Sequence, residues 1–270
     1  MKSFVDRVAV VTGGGSGIGR ATCLELAERG THIAVVDRSA EAAEETAELV
    51  KAIGPQASVH VVDVSDRAQI EALPADVLNV HGTVNVLVNN AGVTSAGSFL
   101  AESVEDLEWI TNINVWGVIH GCRAFLPHLL EVDEAHIVNL SSMVGLVGLP
   151  HNVPYSMTKG AVRGFTEGLR GELIRTNVGV TVVFPGSINT NITQGARGAE
   201  RERLAKMGRN RLAPIVMRPP SAVAKGIVKA IEKDRARVVV GPDAHIVSGI
   251  TRILPGRSGM IGRVTSRIAQ

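Results

Sequence analysis

Short apolar runs rich in valine and isoleucine recur along the chain, each closed by a turn signal and followed by a stretch of helical periodicity. RVAVVTG leads into a helix that runs to Gly30, HIAVVD into the Glu/Ala-rich segment 40–53, and SVHVVDV into 66–80. VNVLVNNAG, AHIVNLSS, VGVTVVFPG and RVVVG continue the series. Runs with so little polar alternation belong to strands covered on both faces, and strands that alternate with helices are joined by right-handed crossovers. The pattern predicts a doubly wound α/β architecture with seven parallel strands.

No Pro/Gly/Ser-rich linker or repeat divides the sequence, so residues 1–270 read as a single domain. Residues 187–220 are the least regular part, with a short polar helix expected around Ala199 to Met207. Ligands of open α/β sheets sit beyond the carboxyl ends of the strands, and this insertion leaves from such an end, as a substrate lid would. Residues 242–270 form a C-terminal extension mixing apolar positions with Arg252, Arg257, Arg263 and Arg267; Pro255 and Gly256 interrupt it before a long amphipathic helix can form.

Composition narrows the function. Apolar residues make up 45% and charged residues 20%, ordinary for a soluble globular protein. The start shows no secretory leader and no stretch is long enough to span a bilayer, so the chain reads as cytoplasmic. Cys23 and Cys122 are too few for a disulfide framework, and the eight histidines lack metal-ligand spacing, so no metal is expected. From Arg201 onward 15 Lys+Arg face 4 Asp+Glu, a balance of +11 against −9 for the rest. A solvated basic surface accounts for this excess; an anionic substrate, partner or membrane surface is the alternative. Aromatics are 3% of the chain and no stacking platform interleaves the arginines, which argues against nucleic acid.

Two features carry the first chemistry. After the first predicted strand comes Thr12-Gly13-Gly14-Gly15-Ser16-Gly17-Ile18-Gly19, opening directly into a helix. Glycines there let the backbone approach a pyrophosphate, whose charge the helix N-terminus stabilises. Asp37 ends the second strand, 18 residues after Gly19, where a carboxylate accepts from ribose hydroxyls and repels a 2′-phosphate. Asp37 favours NAD; the neighbouring Arg38 leaves NADP as the alternative.

TGGGSGIG, Asp63-Val64, Asn89-Asn90-Ala91-Gly92, Asn114, Ser142, Tyr155-x-x-x-Lys159 and Pro185-Gly186 together resemble the short-chain dehydrogenase/reductase family over about residues 5–240. The resemblance implies a Rossmann fold and an oxidoreductase that moves hydride between a nicotinamide cofactor and a CH–OH group. Lys159 follows Tyr155, the only tyrosine, by one helical turn, about 6 Å along the axis. A cation beside a phenol favours phenolate, and an oxidised nicotinamide adds a second positive charge. Lowering a phenol pKa by ~3 units requires about 4 kcal/mol, more than one solvated ion pair supplies.

Tyr155 is thus the expected general acid/base. Ser142, 13 residues upstream at a strand end, is the expected donor to the reacting oxygen, with Ser141 supporting the sheet. The resemblance further implies that Asn114 holds a helix kink and a water linked to the lysine, that Asp63 and Val64 flank the adenine, and that Asn90 and Gly92 line the adenosine side. It implies that Ile188 and Thr190, in the loop after Pro185-Gly186, hold the carboxamide, that Lys159 also reaches the nicotinamide ribose, and that the protein is a homotetramer or homodimer.

The segment MVGLVGLPHNVP after Ser142, with Ile188 and the lid, is expected to form an apolar substrate wall with His151 as its polar exception. Such a wall suits a hydrophobic secondary alcohol or ketone. Two readings stand against this: an NADPH-dependent 3-oxoacyl thioester reductase, and a non-catalytic dinucleotide-binding protein.

Overall fold

The computed structural model describes residues 1–202 and 217–253. Seven strands, β1 (Val8–Thr12), β2 (His32–Asp37), β3 (Ala57–Val61), β4 (Val86–Asn89), β5 (Ala135–Leu140), β6 (Val178–Pro185) and β7 (Arg237–Val240), form one sheet ordered β3-β2-β1-β4-β5-β6-β7. Every pairing is parallel. The helices are α1 (Gly17–Ala27), α2 (Ala40–Ile53), α3 (Arg67–His81), α4 (Val104–Thr111), α5 (Gly117–Leu130), α6 (Val153–Glu172), α7 (Pro220–Glu232) and α8 (Pro242–Ile253).

The near-continuous apolar strands have the expected cause. In β1, Ala9 and Val11 point into a core closed by Leu26 of α1, Ala47 of α2 and Ile227 of α7. Val8 and Val10 point the other way, toward Ile70 of α3, Phe125 of α5 and Val162 of α6. Both sheet faces are buried, so Val8 to Val11 are apolar whichever way they face. Local signals set the helix ends: Ser39 Oγ accepts from Ala42 N–H at the start of α2, and Asp66 Oδ1 from Ala68 N–H and Gln69 N–H at the start of α3.

Two details differ from the sequence pattern. β3 stops at Val61, which pairs with Asp37, the last residue of β2; as an edge strand β3 has no second neighbour to extend the ladder. Asn112–Trp116 form a π-helical turn joining α4 to α5, with Gly117 N–H bonded back to Asn112 O. The lid helix expected around Ala199 to Met207 lies largely outside the described residues, as do residues 254–270. The described part of the lid crosses back over the fold through isolated bridges, Ser95 with Arg197 and Ile188 with Arg218. Among the described residues no helix is long and apolar enough to cross a membrane, and no group of His, Cys, Asp and Glu could hold a metal ion.

Candidate active site

The strand order reverses at β1 and β4, and there the carboxyl ends of the strands open into a cleft. Gly13, Ser16, Gly17, Ile18, Asp37, Arg38, Asp63, Val64, Asn90 and Gly92 line it. Ser142, Tyr155, Lys159, Pro185, Gly186, Ile188 and Thr190 line the same cleft. Asn114 and Gly19 are the two expected site residues outside the lining, and both support it from behind.

The glycine loop is built for close approach. Gly13 takes φ +63°, and a Cβ placed on Gly19 would lie 2.0 Å from Gly13 O. The loop thus folds flat against the start of α1, with Ser16 exposed at the helix N-terminus. Asp37 braces it: its carboxylate accepts from Gly15 N–H at 2.9 Å and from Ser39 N–H at 3.0 Å. Thr12 is a residue that sequence reasoning passed over. Its hydroxyl accepts from Asn90 N–H and Ala91 N–H, while the Asn90 amide donates to Thr12 O and Gly13 O. Asn90 therefore presents itself to the cleft as a tie between β4 and the glycine loop. Thr190 reaches across to Gly17 from the opposite loop, about 3.4 Å from where a Cβ would stand.

Asp63 closes a short turn, accepting from the N–H and hydroxyl of Ser65. Val64 packs on Gly117, where a Cβ would meet it at 3.1 Å, which explains the glycine three residues after Asn114. Asn114 is fully buried in the π-helical turn. Its Oδ1 accepts from Val93 N–H at 2.8 Å, and its amide donates to Val93 O at 2.9 Å and Thr158 Oγ1 at 3.1 Å. The side chain that a regular helix would hold poorly is here fully satisfied, and it clamps the β4 loop to α6. Gly92 leaves the room this requires: a Cβ would sit 3.1 Å from Asn114 Oδ1 and 3.3 Å from Lys159 Nζ.

At the base of the cleft Lys159 is 4% exposed and donates through Nζ to Leu140 O at 3.0 Å. Nζ lies 5.8 Å from the centroid of the Tyr155 ring. Tyr155 shows an edge to the cleft but sits deep enough that burial pushes its phenol up to about 12, against the opposing pull of Ser142. Burial likewise moves the Lys159 ammonium down to about 8. Burial thus dominates both groups, and one cation beside the ring does not by itself lower the phenol. Ser142 accepts from Val144 N–H, and Ser141 donates to Lys159 O at 2.7 Å; both serines line the cleft.

Val62, Ala91, Val93, Ile113, Leu140, Ser141, Ile192 and Gly195 complete the cleft lining. Of the segment expected as a substrate wall, Gly148, Leu149, Pro150 and Val153 line a second pocket with Ser156 and Met157. Met143–Gly145 instead form a tight turn packed on α6, and His151, at φ +59°, hydrogen-bonds Glu200 of the lid at 2.6 Å. Ile192 and Gly195 carry no local signal beyond their place in the lid. Cys23 and Cys122 are buried, and burial raises both thiols, so neither is a nucleophile at neutral pH.

A flat glycine cradle at a helix N-terminus, an acidic residue at the end of β2 and a Ser-Tyr-Lys group in one cleft define the class: a dinucleotide-dependent oxidoreductase of the doubly wound type. Residues 7–201 match the model of the short chain dehydrogenase family. The chain is 39% identical over 259 residues to an oxidoreductase named SadH of Mycobacterium tuberculosis, covering 94% of this chain and 93% of that one. A second protein of that organism, named oxidoreductase EphD, is 38% identical; the match takes in 93% of this chain and 44% of EphD. Among solved structures, a short chain dehydrogenase/reductase from Burkholderia phymatum in complex with NAD superimposes with a TM-score of 0.85 at 30% identity, covering 93% of this chain and 95% of that one. One from Mycobacterium paratuberculosis, bound to NAD, gives 0.77 at 25% identity, with 88% and 97% covered. The protein belongs to the short-chain dehydrogenase/reductase family and is an NAD(P)-dependent oxidoreductase.

Proposed function

We propose that the protein interconverts a hydrophobic secondary alcohol and its ketone with NAD(H), using Asn114, Ser142, Tyr155 and Lys159 as its catalytic group. The observation that carries this reading is the convergence of Tyr155, Lys159 and Ser142 with Pro185, Gly186, Ile188 and Thr190 in the same cleft as Asp37 and the glycine loop. The residues present fit a dinucleotide: the glycine cradle has no side chain in the way, and Asp37 stands where ribose hydroxyls need an acceptor. NAD, when bound, supplies the hydride acceptor and, in oxidised form, a second positive charge.

In alcohol oxidation the Tyr155 phenolate takes the hydroxyl proton as hydride leaves the carbinol carbon; in ketone reduction the phenol returns a proton to the developing alkoxide. Ser142 donates to the reacting oxygen while charge builds on it. Lys159 stabilises phenolate and reaches the nicotinamide ribose. Asn114 fixes the π-helical turn behind the lysine. Ile188, Ile192, Val93 and Gly195 support an apolar substrate. The bound-NAD relatives and the carboxylate of Asp37 favour NAD over NADP. Exposed Trp116, Val153 and Met157 on the elements that bear Asn114 and Tyr155 support assembly as a dimer or tetramer.

The test is an NAD-reduction screen over secondary alcohols at alkaline pH, run beside Tyr155→Phe. Turnover on hydrophobic alcohols that disappears in the variant, with NADH binding retained, supports the reading. Equal turnover in the variant would overturn the mechanism.

A further inference from the structure

The C-terminal extension begins with a contact that the family chemistry of the cleft does not account for. Asp243, in the first turn of α8, accepts from Ser187 N–H through Oδ2 at 2.7 Å and from Ala244 N–H through Oδ1 at 2.9 Å. A Cβ on Gly186 would stand 2.1 Å from Asp243 Oδ1, so the carboxylate is seated against bare backbone. The same stretch is held on its two flanks: Gly186 N–H donates to Val240 O at the end of β7, and Ser187 O accepts from Arg218 N–H. A carboxylate accepting two backbone N–H groups at a helix N-terminus is a strong, directional anchor. Further along, α8 packs against the Met143–Gly145 turn that follows Ser142.

We infer that Asp243 is a positioning residue for the cofactor's nicotinamide end: it clasps the Gly186–Ser187 peptide and thereby aims Ile188 and Thr190 at the carboxamide. The inference rests on the function proposed above. It gives the C-terminal extension a task in the reaction, since α8 carries the clasp on one end and supports the Ser142 turn. Asp243 lines no part of the cleft itself and acts through the loop.

Two ligands separate this role from a structural one: NADH, and ADP-ribose, which has the adenosine and both phosphates but no nicotinamide. Titration calorimetry of the full chain should show wild type binding NADH more tightly than ADP-ribose. In Asp243→Ala, loss of a charge-assisted hydrogen bond should weaken NADH binding by roughly tenfold and leave ADP-ribose within about twofold. Asp243→Asn, which keeps one acceptor, should restore part of the NADH affinity. Gly186→Ala, which pushes the carboxylate off the loop, should reproduce the selective loss if Asp243→Ala does not fold. Unchanged NADH affinity, or equal weakening of both ligands, overturns the inference. Wild type that binds neither ligand overturns the proposed function with it, and that outcome is visible before any variant is made.

Discussion

Lys159 stands with its ammonium 5.8 Å from the centre of the Tyr155 ring, yet its hydrogen bond goes to Leu140 O at 3.0 Å. The sheet, and not the phenol, fixes the lysine. Burial opposes charge on both groups, leaving the phenol at about 12 and the ammonium at about 8. The proposed catalysis near neutral pH therefore requires a further positive charge close to the ring.

Tyr155 is the only tyrosine, so phenolate ultraviolet absorbance reports this one group. The free protein should show little phenolate until the pH nears about 12. Saturation with NAD should bring the transition to lower pH, and Lys159→Met should move it back up. Alcohol oxidation, which uses phenolate, should rise with pH, and ketone reduction, which uses phenol, should fall. A phenolate transition indifferent to NAD would refute the electrostatic account.

Cofactor choice is assigned to Asp37, whose carboxylate is fixed by Gly15 N–H and Ser39 N–H. Wild type should prefer NADH to NADPH by more than tenfold in kcat/KM, about 1.4 kcal/mol. Asp37→Ser removes the repulsion of a 2′-phosphate and leaves Arg38 exposed beside it, so the ratio should swing at least tenfold toward NADPH. An unchanged ratio would remove Asp37 from cofactor selection.

Glu102 is 8% exposed, and among the described residues no hydrogen-bond partner meets its carboxylate oxygens. Burial, and then Asp106, raise its pKa; Ser95 is near enough to offset part of the shift without meeting hydrogen-bond geometry. A raised carboxyl favours folding below its unfolded pKa, and that contribution is lost as pH rises through the folded value. Glu102→Gln should therefore raise Tm at pH 8 by roughly 2–4 °C, with the gain shrinking toward pH 4. A gain that is constant with pH would show that the charge is not the cause.

His136 is buried with Nε2 2.7 Å from Thr181 Oγ1, and burial lowers it to about 3. A histidine kept neutral stabilises the fold fully above its unfolded pKa of about 6.5, and that stability drains as pH falls toward the folded value, by up to ~1.4 kcal/mol per unit. Urea midpoints should decline below about pH 6.5, and His136→Gln should flatten the slope. An identical slope in the variant would place the acid sensitivity elsewhere.

Seven parallel strands were legible in the chain because both faces of the sheet are covered and most strand positions are apolar; the strand order and the reversal at β1 and β4 were not. The glycine turn, Asp37, and Tyr155 one helical turn before Lys159 were legible because each lies within one local element, where spacing is geometry. What depended on distant segments was not. Whether Lys159 bonds the phenol or Leu140, whether Asn114 faces Val93, that Val93 and Ile192 line the cleft, and that Asp243 closes on Ser187, 56 positions earlier, follow from packing between elements. Sequence spacing sets which groups share a helix face; only tertiary packing sets how much water is stripped from them, and with it the charge they can carry.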